Sequence, residues 1–297
     1  MFRVYIGLAL TLAIGPLHAA PPTSAEILAA SKPTDWRPLD AANSLLMQLP
    51  SGPVLIELAP TFAPRHVANI KTLARENYYD GLAVLRSQDN YVAQWGDPDA
   101  EDASKRKPMK SGVRSLPAEF SRPIAGLKIT PLKDGDVYAP AVGHVGGFPV
   151  ASSRKTGQAW LTHCYAMVGA GRDLAADSGS GAELYVVTGH APRHLDLNVT
   201  LVGRVLQGID RLSSLPRGTG SLGFYELAEE RLPIASVRVV ADLPTTQRPA
   251  LEVLRTDTAT WAAYVEARRS RKDEWFLEPT GHIELCNVPI PVRIAKP

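Results

Sequence analysis

The stretch DGLAVLRSQDNYVAQWGDP, residues 80–98, raises the main structural question of this chain. Two apolar runs, AVLR and YVAQW, flank the polar turn SQDN, a pattern typical of two β-strands joined by a tight turn. Each run carries one polar side chain, Arg86 and Gln94, and no carboxylate stands beside the arginine. Position alone favours an arginine whose stem packs while its head reaches water or pairs with Glu183.

Further strands and one early helix extend this pair into a β-rich domain. PVLIEL at 53–58 has apolar residues on both faces, as a buried strand does. A helix is predicted from Pro64, because proline suits the first helical turn and Val67, Ile70 and Leu73 recur at helical spacing. Later strands are predicted within 161–171, 183–189, 199–210 and 235–243. This order favours a mostly-β fold, a closed antiparallel β-barrel with flanking helices.

Composition divides the rest of the chain into additions around the barrel. Residues 20–50 are rich in Pro, Ala and Ser and are predicted to form an exposed lead-in, which places the barrel domain at 51–245. Residues 97–160 combine a charged stretch with many Pro and Gly residues, which favours an enlarged region of loops and short strands. Residues 246–297 form a C-terminal extension that contains TDTATWAAYVEARRSRK, a pattern typical of a capped helix with a basic end.

The first twenty residues, MFRVYIGLALTLAIGPLHAA, have the form of an export signal. Arg3 supplies the positive start, residues 4–17 the apolar core, and an A-x-A-like site predicts cleavage after Ala19. The apolar run is short for a membrane span. We therefore expect a signal peptide at 1–19 and a mature protein in a bacterial periplasm, without membrane attachment.

Composition and motifs exclude several classes of function. The net charge of the 297 residues is +2, which gives no reason to expect a nucleic-acid partner. No nucleophile elbow, P-loop or dinucleotide fingerprint occurs. Cys164 and Cys286 are too few for a cysteine-based metal cluster, and either one disulfide or two buried thiols fits the sequence. His190 and His194 lie in a proline-containing loop, so we expect neither a metal nor a cofactor.

Five blocks of sequence resemble the cyclophilins, the β-barrel family of peptidyl-prolyl isomerases. They span most of residues 53–210 in the family's order: VLIELAPTFAPRHVANIKTLARENYYDGLAVLR, QDNYVAQWGDP, YAMVGAG, GAELYVVT and LVGRVLQGID. The first is similar to the family's first strand, first helix and Tyr-Asp-Gly turn, and the second carries its aromatic residue, glutamine and Gly-Asp. The resemblance implies a cyclophilin-like barrel with peptidyl-prolyl cis-trans isomerase activity. Together with the export signal, it predicts a bacterial, exported isomerase.

The resemblance also implies roles for individual residues. Arg86 falls on the family's catalytic arginine and Gln94 on its substrate-binding glutamine. Tyr91 and Met167 fall on the apolar floor of the proline pocket, and Tyr185 replaces a phenylalanine of that floor. The expected substrates are X-Pro bonds of proline-containing peptides and unfolded exported proteins, bound by a monomer.

Several positions depart from the family. Leu85 stands where a histidine is usual, Glu183 where a glutamine is common, and Gly169 where the backbone of an asparagine binds peptide. His194 lies near a rim position of the substrate site, and Val199 replaces a histidine at the pocket edge. These departures leave a second interpretation open, a cyclophilin-like peptide-binding module or chaperone with little turnover.

Overall fold

The computed structural model describes residues 21–272 and 275–295. The predicted signal peptide at 1–19 lies outside the described residues, and within them no helix has the length and apolarity that a membrane span requires. The α-helices are α1 (Ser24–Ala29), α2 (Pro64–Arg75), α3 (Asp210–Ser213) and α4 (Ala259–Ser270). The strands are β1 (Trp36–Pro38), β2 (Ser44–Leu49), β3 (Gly52–Leu58), β4 (Ala83–Ser87), β5 (Val92–Gly96), β6 (Arg122–Pro123), β7 (Thr130–Leu132), β8 (Ala141–Val145), β9 (Phe148–Ser153), β10 (Gln158–Leu161), β11 (Met167–Ala170), β12 (Leu184–Val187), β13 (Leu201–Gln207), β14 (Leu232–Pro233), β15 (Ser236–Val239), β16 (Leu251–Leu254) and β17 (Val292–Ile294).

Nine strands form one antiparallel sheet in the order β14-β4-β5-β12-β11-β13-β3-β2-β15. Its two edge strands are consecutive in the chain and are separated only by Ile234 and Ala235. Ile234 accepts a hydrogen bond from the Gly81 amide and donates one to the Leu82 carbonyl, while the Ala235 amide donates to the Gln48 carbonyl. The nine strands therefore form a curled antiparallel sheet, a half-barrel whose two edges are joined by this short segment of backbone.

The predicted helix α2 packs against the curled sheet. It begins at Pro64, as its sequence indicated, and buries Val67, Ile70 and Leu73. These side chains join the main core cluster with inward-facing strand residues such as Trp95. Burial of each large apolar side chain stabilises the fold by about 1.5–3 kcal/mol relative to exposure.

The prediction that residues 20–50 are an exposed lead-in is wrong for residues 44–49. They form β2, which pairs with β3 and β15 in the main sheet. Leu45, Met47 and Leu49 are buried at alternating positions, which is the period of a strand with one face in the core. The prediction was based on the Pro, Ala and Ser content of residues 20–50, which does not show the alternation of Leu45, Met47 and Leu49.

The inserted region is more regular than predicted. Residues 97–121 contain no strand, but residues 122–161 form a five-stranded sheet in the order β6-β10-β9-β8-β7. Its central hairpin turns at Gly146 and Gly147, which have φ angles of 57° and 90°, and glycine adopts such angles at no steric cost. The strand predicted within 161–171 is divided between the two sheets, with β10 ending at Leu161 and β11 beginning at Met167.

Buried polar and covalent links tie the added segments to the main sheet. Arg204 of β13 lies opposite Glu57 of β3 and pairs with its carboxylate at 2.8 Å, while another Arg204 N–H donates to the carbonyl of Gly147. Cys164 and Cys286 form a disulfide across 122 residues of sequence, which answers the question left open by their spacing. A loop of that length stabilises a fold by roughly 4–5 kcal/mol in the chain-entropy account.

His144 of β8 provides a test of how the second sheet and the C-terminal helix pack. Its ring is buried edge-to-face against Trp261 of α4, with 4.9 Å between the ring centres, and Nε2 has no hydrogen-bond partner among the described residues. Burial lowers the pKa of His144 from 6.5 to about 3. The unfolded chain therefore binds a proton that the folded protein does not as the pH falls through this interval.

We expect this histidine to contribute a loss of unfolding free energy of up to about 1.4 kcal/mol per pH unit between pH 6.5 and 3. His144→Leu should make the unfolding free energy depend less steeply on pH over this interval. The matched change at the exposed His190 should leave that dependence unchanged. Urea unfolding at several pH values measures both slopes. Equal slopes in the two variants and the wild type would contradict a neutral, buried His144.

Candidate active site

A β-bulge at Leu85 determines which way Arg86 points. On β4 and β5, Val84 lies opposite Trp95 and Arg86 opposite Gln94, so Leu85 is an extra residue in the register. Val84 faces the main core. Without the bulge, Arg86 would face the same core, because residues two apart share a face of a strand. The extra residue turns Arg86 to the outer surface of the sheet.

Four predicted site residues form a row across the outer face. Arg86 lies opposite Gln94, Gln94 opposite Tyr185, and Tyr185 opposite Gly169, on β4, β5, β12 and β11. Directly opposed residues on antiparallel strands lie close together on the same face. Residues that are up to 99 positions apart in sequence are thereby brought together.

Neutral acceptors hold the half-buried head of Arg86. Its Nε donates to the Leu222 carbonyl oxygen at 2.6 Å, one Nη donates to Gln94 Oε1 at 2.9 Å, and the other donates to the Gln88 side chain. A guanidinium has five N–H groups, so one on each Nη has no acceptor among the described residues. Arg86 forms no ion pair with any described carboxylate, and Glu183, the alternative partner considered from the sequence, does not pair with it.

Aromatic rings flank this cation, and the protein environment disfavours its charge. The rings of Tyr91 and Phe224 lie 5.6 and 5.4 Å from Arg86 Cζ. Burial lowers the pKa of Arg86, and the nearby Tyr91 and Glu183 oppose this change. The guanidinium still keeps its charge, because arginine loses its proton only far above neutral pH.

Gln94 connects Arg86 to Glu183. The Gln94 oxygen accepts from Arg86, so its amide nitrogen faces Glu183 and donates to that carboxylate. Burial raises the pKa of Glu183, and the Gln94 hydrogen bond opposes the increase. Both side chains line, with Arg86, an open cavity of about 650 Å³ that also borders Leu85 and Gly171. The guanidinium, the amide and the carboxylate therefore line the same cavity.

An apolar cluster continues the outer face beside this cavity. It is centred on the buried Tyr185, and its members are Tyr91, Val92, Tyr185, Val187 and Val199. The exposed ring of His194 stacks on Tyr91 with 6.4 Å between the ring centres. The structure thus places Tyr91, Tyr185, His194 and Val199 on the same surface as Arg86. Tyr185 is only 6% exposed, and the partly buried side chains of Tyr91 and Val199 pack against the buried part of the cluster to which it belongs.

Two predicted site residues occupy places that the sequence did not indicate. Met167 is 1% exposed and packs with the inserted sheet and the C-terminal segment, so it is not brought to the surface of Arg86. Gly169 lies in the row, but a Cβ there would overlap the ring and hydroxyl of Tyr185. The structure thus gives Gly169 a packing role, making space for a tyrosine.

Sequence reasoning missed Gln88, Leu222 and Phe224. Gln88 is two residues from Arg86, but a surface glutamine after a strand carries no distinctive signal. Leu222 and Phe224 belong to the glycine-rich stretch RGTGSLGF, residues 217–224. Its glycines are typical of a turn, and nothing local shows that it returns to β4 beyond the residues that pair with β14. There Tyr225 donates to the Leu85 carbonyl that the bulge leaves outside the β5 ladder.

Leu222 holds a strained backbone angle at the point where it contacts Arg86. Its φ is 55°, a region that costs a residue with a Cβ roughly 1–2 kcal/mol, and its side chain is 64% exposed. Leu222→Gly should leave the unfolding free energy unchanged or raise it by about 0.5–1 kcal/mol, since strain is relieved and little packing is lost. Leu227→Gly is the matched control, at an ordinary φ of −94° and 55% exposure.

The control should lower the unfolding free energy by about 0.5–1 kcal/mol, because glycine adds chain entropy without relieving strain. Urea denaturation of the three proteins measures the difference. The same loss in both variants would show that Leu222 is not strained.

Comparison with known proteins agrees with this geometry. Residues 44–239 match the family model described as "Cyclophilin type peptidyl-prolyl cis-trans isomerase/CLD". A "Probable peptidyl-prolyl cis-trans isomerase" of Brucella suis is 39% identical over 89 residues, 28% of this chain and 45% of that protein. A "Putative thylakoid lumen peptidyl-prolyl cis-trans isomerase" of Synechocystis is 31% identical over 133 residues, 43% of this chain and 34% of that protein. The chain thus spans less than half the length of these curated relatives.

The crystal structure of the cyclophilin AquaCyp293 from Hirschia baltica is similar over 93% of this chain and 99% of its own, with a TM-score of 0.68 and 25% identity. The chain belongs to the cyclophilin-type peptidyl-prolyl cis-trans isomerase family, because the family model matches well over half of its residues. The predicted mostly-β, cyclophilin-like fold is confirmed. The structural similarity extends beyond residues 44–239 and therefore includes parts of the chain outside the family model.

Proposed function

We propose that this protein is a peptidyl-prolyl cis-trans isomerase that acts on X-Pro bonds of exported proteins as a monomer. The main support for this proposal is Arg86, a half-buried cation that has no carboxylate partner among the described residues. Two of its N–H groups have no acceptor there. A buried arginine in a structural role is normally paired. One held by neutral acceptors at the edge of an open cavity is available to a ligand.

Cis-trans isomerisation of an X-Pro bond is accelerated by a fixed cationic hydrogen-bond donor near the prolyl nitrogen. Rotation about an amide bond has a barrier of roughly 18–20 kcal/mol, because the nitrogen lone pair is delocalised into the carbonyl. In the twisted transition state the lone pair localises on the prolyl nitrogen, which then accepts a hydrogen bond. A fixed guanidinium N–H aimed at that atom binds the twisted state more strongly than either planar state, and this difference accelerates the rotation.

The other residues of the outer face would bind and orient the peptide. Gln94 fixes the direction of Arg86 and presents its amide at the cavity wall, and Glu183 fixes Gln94. The apolar cluster, with Tyr91 and Val199 partly exposed, offers a surface for the proline ring next to the guanidinium. His194 extends this surface at the rim. Gly169 contributes space for Tyr185, and we assign no contact with substrate to Met167.

We expect Arg86→Ala to lower kcat/KM for a proline tetrapeptide by about a hundredfold or more, the usual effect of removing one preorganised transition-state donor. Arg86→Lys should recover only part of this, because a lysine lacks the planar fork that Gln94, Gln88 and Leu222 hold. Arg75→Ala, an exposed arginine of α2 that pairs with Asp242, is the matched control and should keep full activity. A protease-coupled isomerisation assay measures all four proteins.

The isomerisation assay, together with an aggregation assay, distinguishes an isomerase from a peptide-binding module. If the wild type and Arg86→Ala are equally inactive while both still suppress aggregation of an unfolding protein, the binding-module interpretation replaces the isomerase. Activity that survives Arg86→Ala would instead show that this arginine does not carry the catalysis.

We further propose that the protein is exported to the periplasm. The disulfide between Cys164 and Cys286 supports this proposal, since such bonds persist in oxidising compartments. Expressed with its own N-terminus in a Gram-negative bacterium, the chain should be found in the periplasmic fraction, beginning at Ala20. N-terminal sequencing of that fraction tests the prediction, and an intact Met1 or a cytoplasmic location would contradict it.

A further inference from the structure

A buried hydrogen bond fixes the Tyr185 ring at the base of the apolar cluster. The Tyr185 hydroxyl lies 2.8 Å from His163 Nε2, and the two rings are nearly parallel, 9° apart. The tyrosine reaches His163 by lying over Gly169, where any Cβ would overlap it. Two departures from the family, a tyrosine at 185 and a glycine at 169, are thus parts of one packing arrangement.

Asp196 sets the direction of this hydrogen bond. Its Oδ1 lies 2.9 Å from both the backbone nitrogen and Nδ1 of His163. A carboxylate only accepts, so Nδ1 carries the proton and Nε2 presents a lone pair to the Tyr185 hydroxyl. Burial lowers the pKa of His163, and Asp196 opposes this change. A neutral imidazole that accepts from Tyr185 is consistent with both observations.

The chain of contacts continues into the inserted region. Arg193 Nε donates to Asp196 Oδ2 at 2.6 Å, and its two Nη atoms donate to the two oxygens of Asp136 at 2.9 and 3.0 Å. Both Arg193 and Asp136 are almost fully buried, and the Tyr138 ring lies 5.0 Å from Arg193 Cζ. Asp136 belongs to the segment between β7 and β8. The insertion is therefore linked to Tyr185 on the outer face by a series of four buried side chains, those of Asp136, Arg193, Asp196 and His163.

We propose that His163 is a positioning residue for the apolar part of the site, which it serves by holding the Tyr185 ring, and that Arg193 and Asp136 extend this support into the insertion. The proposal rests on the proposed function, because it assigns the cluster around Tyr185 to the proline ring. A ring released from His163 can tilt toward Tyr91 or Val199 and change the surface offered to substrate. Binding should suffer while the chemistry at Arg86 continues.

The test is a double-mutant cycle on His163 and Tyr185. Tyr185→Phe keeps the ring and removes the hydroxyl. His163→Asn keeps an amide near Nδ1 for Asp196 but has nothing at the position of Nε2. His163→Gln is the matched conservative variant, because its longer side chain can place an acceptor near that position. Circular dichroism and thermal unfolding establish that each variant folds.

Tyr185→Phe and His163→Asn should each raise KM for a proline tetrapeptide by about two- to tenfold, the equivalent of one net hydrogen bond. In both, kcat should stay within about twofold of wild type. The double variant should be no worse than either single one, since both changes remove the same link. His163→Gln should recover most of the loss, but only when Tyr185 is present. Additive effects, or an unchanged KM in Tyr185→Phe, would overturn the proposal.

The outcome is separable from failure of the isomerase proposal. If the wild type turns over and depends on Arg86 while the cycle is additive, only the role of His163 is lost. If the wild type does not turn over, dissociation constants for the same tetrapeptide, measured by tryptophan fluorescence, replace KM in the cycle. Absence of both turnover and binding would overturn both proposals. Should His163→Asn not fold, Tyr185→Phe and His163→Gln complete the comparison.

Discussion

The extra residue at Leu85 is the constraint on which the candidate site depends. A regular strand would place Arg86 in the same apolar core as Val84, where an unpaired guanidinium is too costly to bury. The bulge turns the side chain outward and frees the Leu85 carbonyl, which accepts from Tyr225. One irregularity thus orients the cation and attaches the loop whose Leu222 carbonyl holds it.

The outer face of the sheet combines a polar half and an apolar half. Arg86, Gln94 and Glu183 form a hydrogen-bonded series whose only charges lie at its ends, so the central amide has one possible orientation. Beside it, the cluster on Tyr185 has no charged member. Under the proposed function, the amide bond of an X-Pro substrate would lie at the polar half and its proline ring at the apolar half.

The added segments are integral to the fold. An Arg204 N–H anchors the inserted sheet by donating to the Gly147 carbonyl, and Asp136 of the insertion reaches Asp196 through Arg193. The C-terminal segment is tied by the disulfide and covers Met167. A residue that the family resemblance assigned to the pocket floor is buried by these additions. Local similarity in the β11 strand therefore did not carry over to its surroundings.

The sequence by itself determined the β-rich class, helix α2, the strand pair that carries Arg86 and Gln94, and the family, because these follow from local periodicity, turn residues and short motifs. It also contained the alternation of β2 and the Gly146–Gly147 turn, but overall composition does not show either pattern. Only the tertiary structure decided the direction of Arg86, the place of Met167, the contacts of Leu222 and Phe224, and the pairing of Cys164 with Cys286. The direction of Arg86 depends on the register of β4 against its neighbour β5, and the other features depend on segments tens of residues apart meeting in space. Neither strand register nor packing between distant segments leaves a local trace in the sequence.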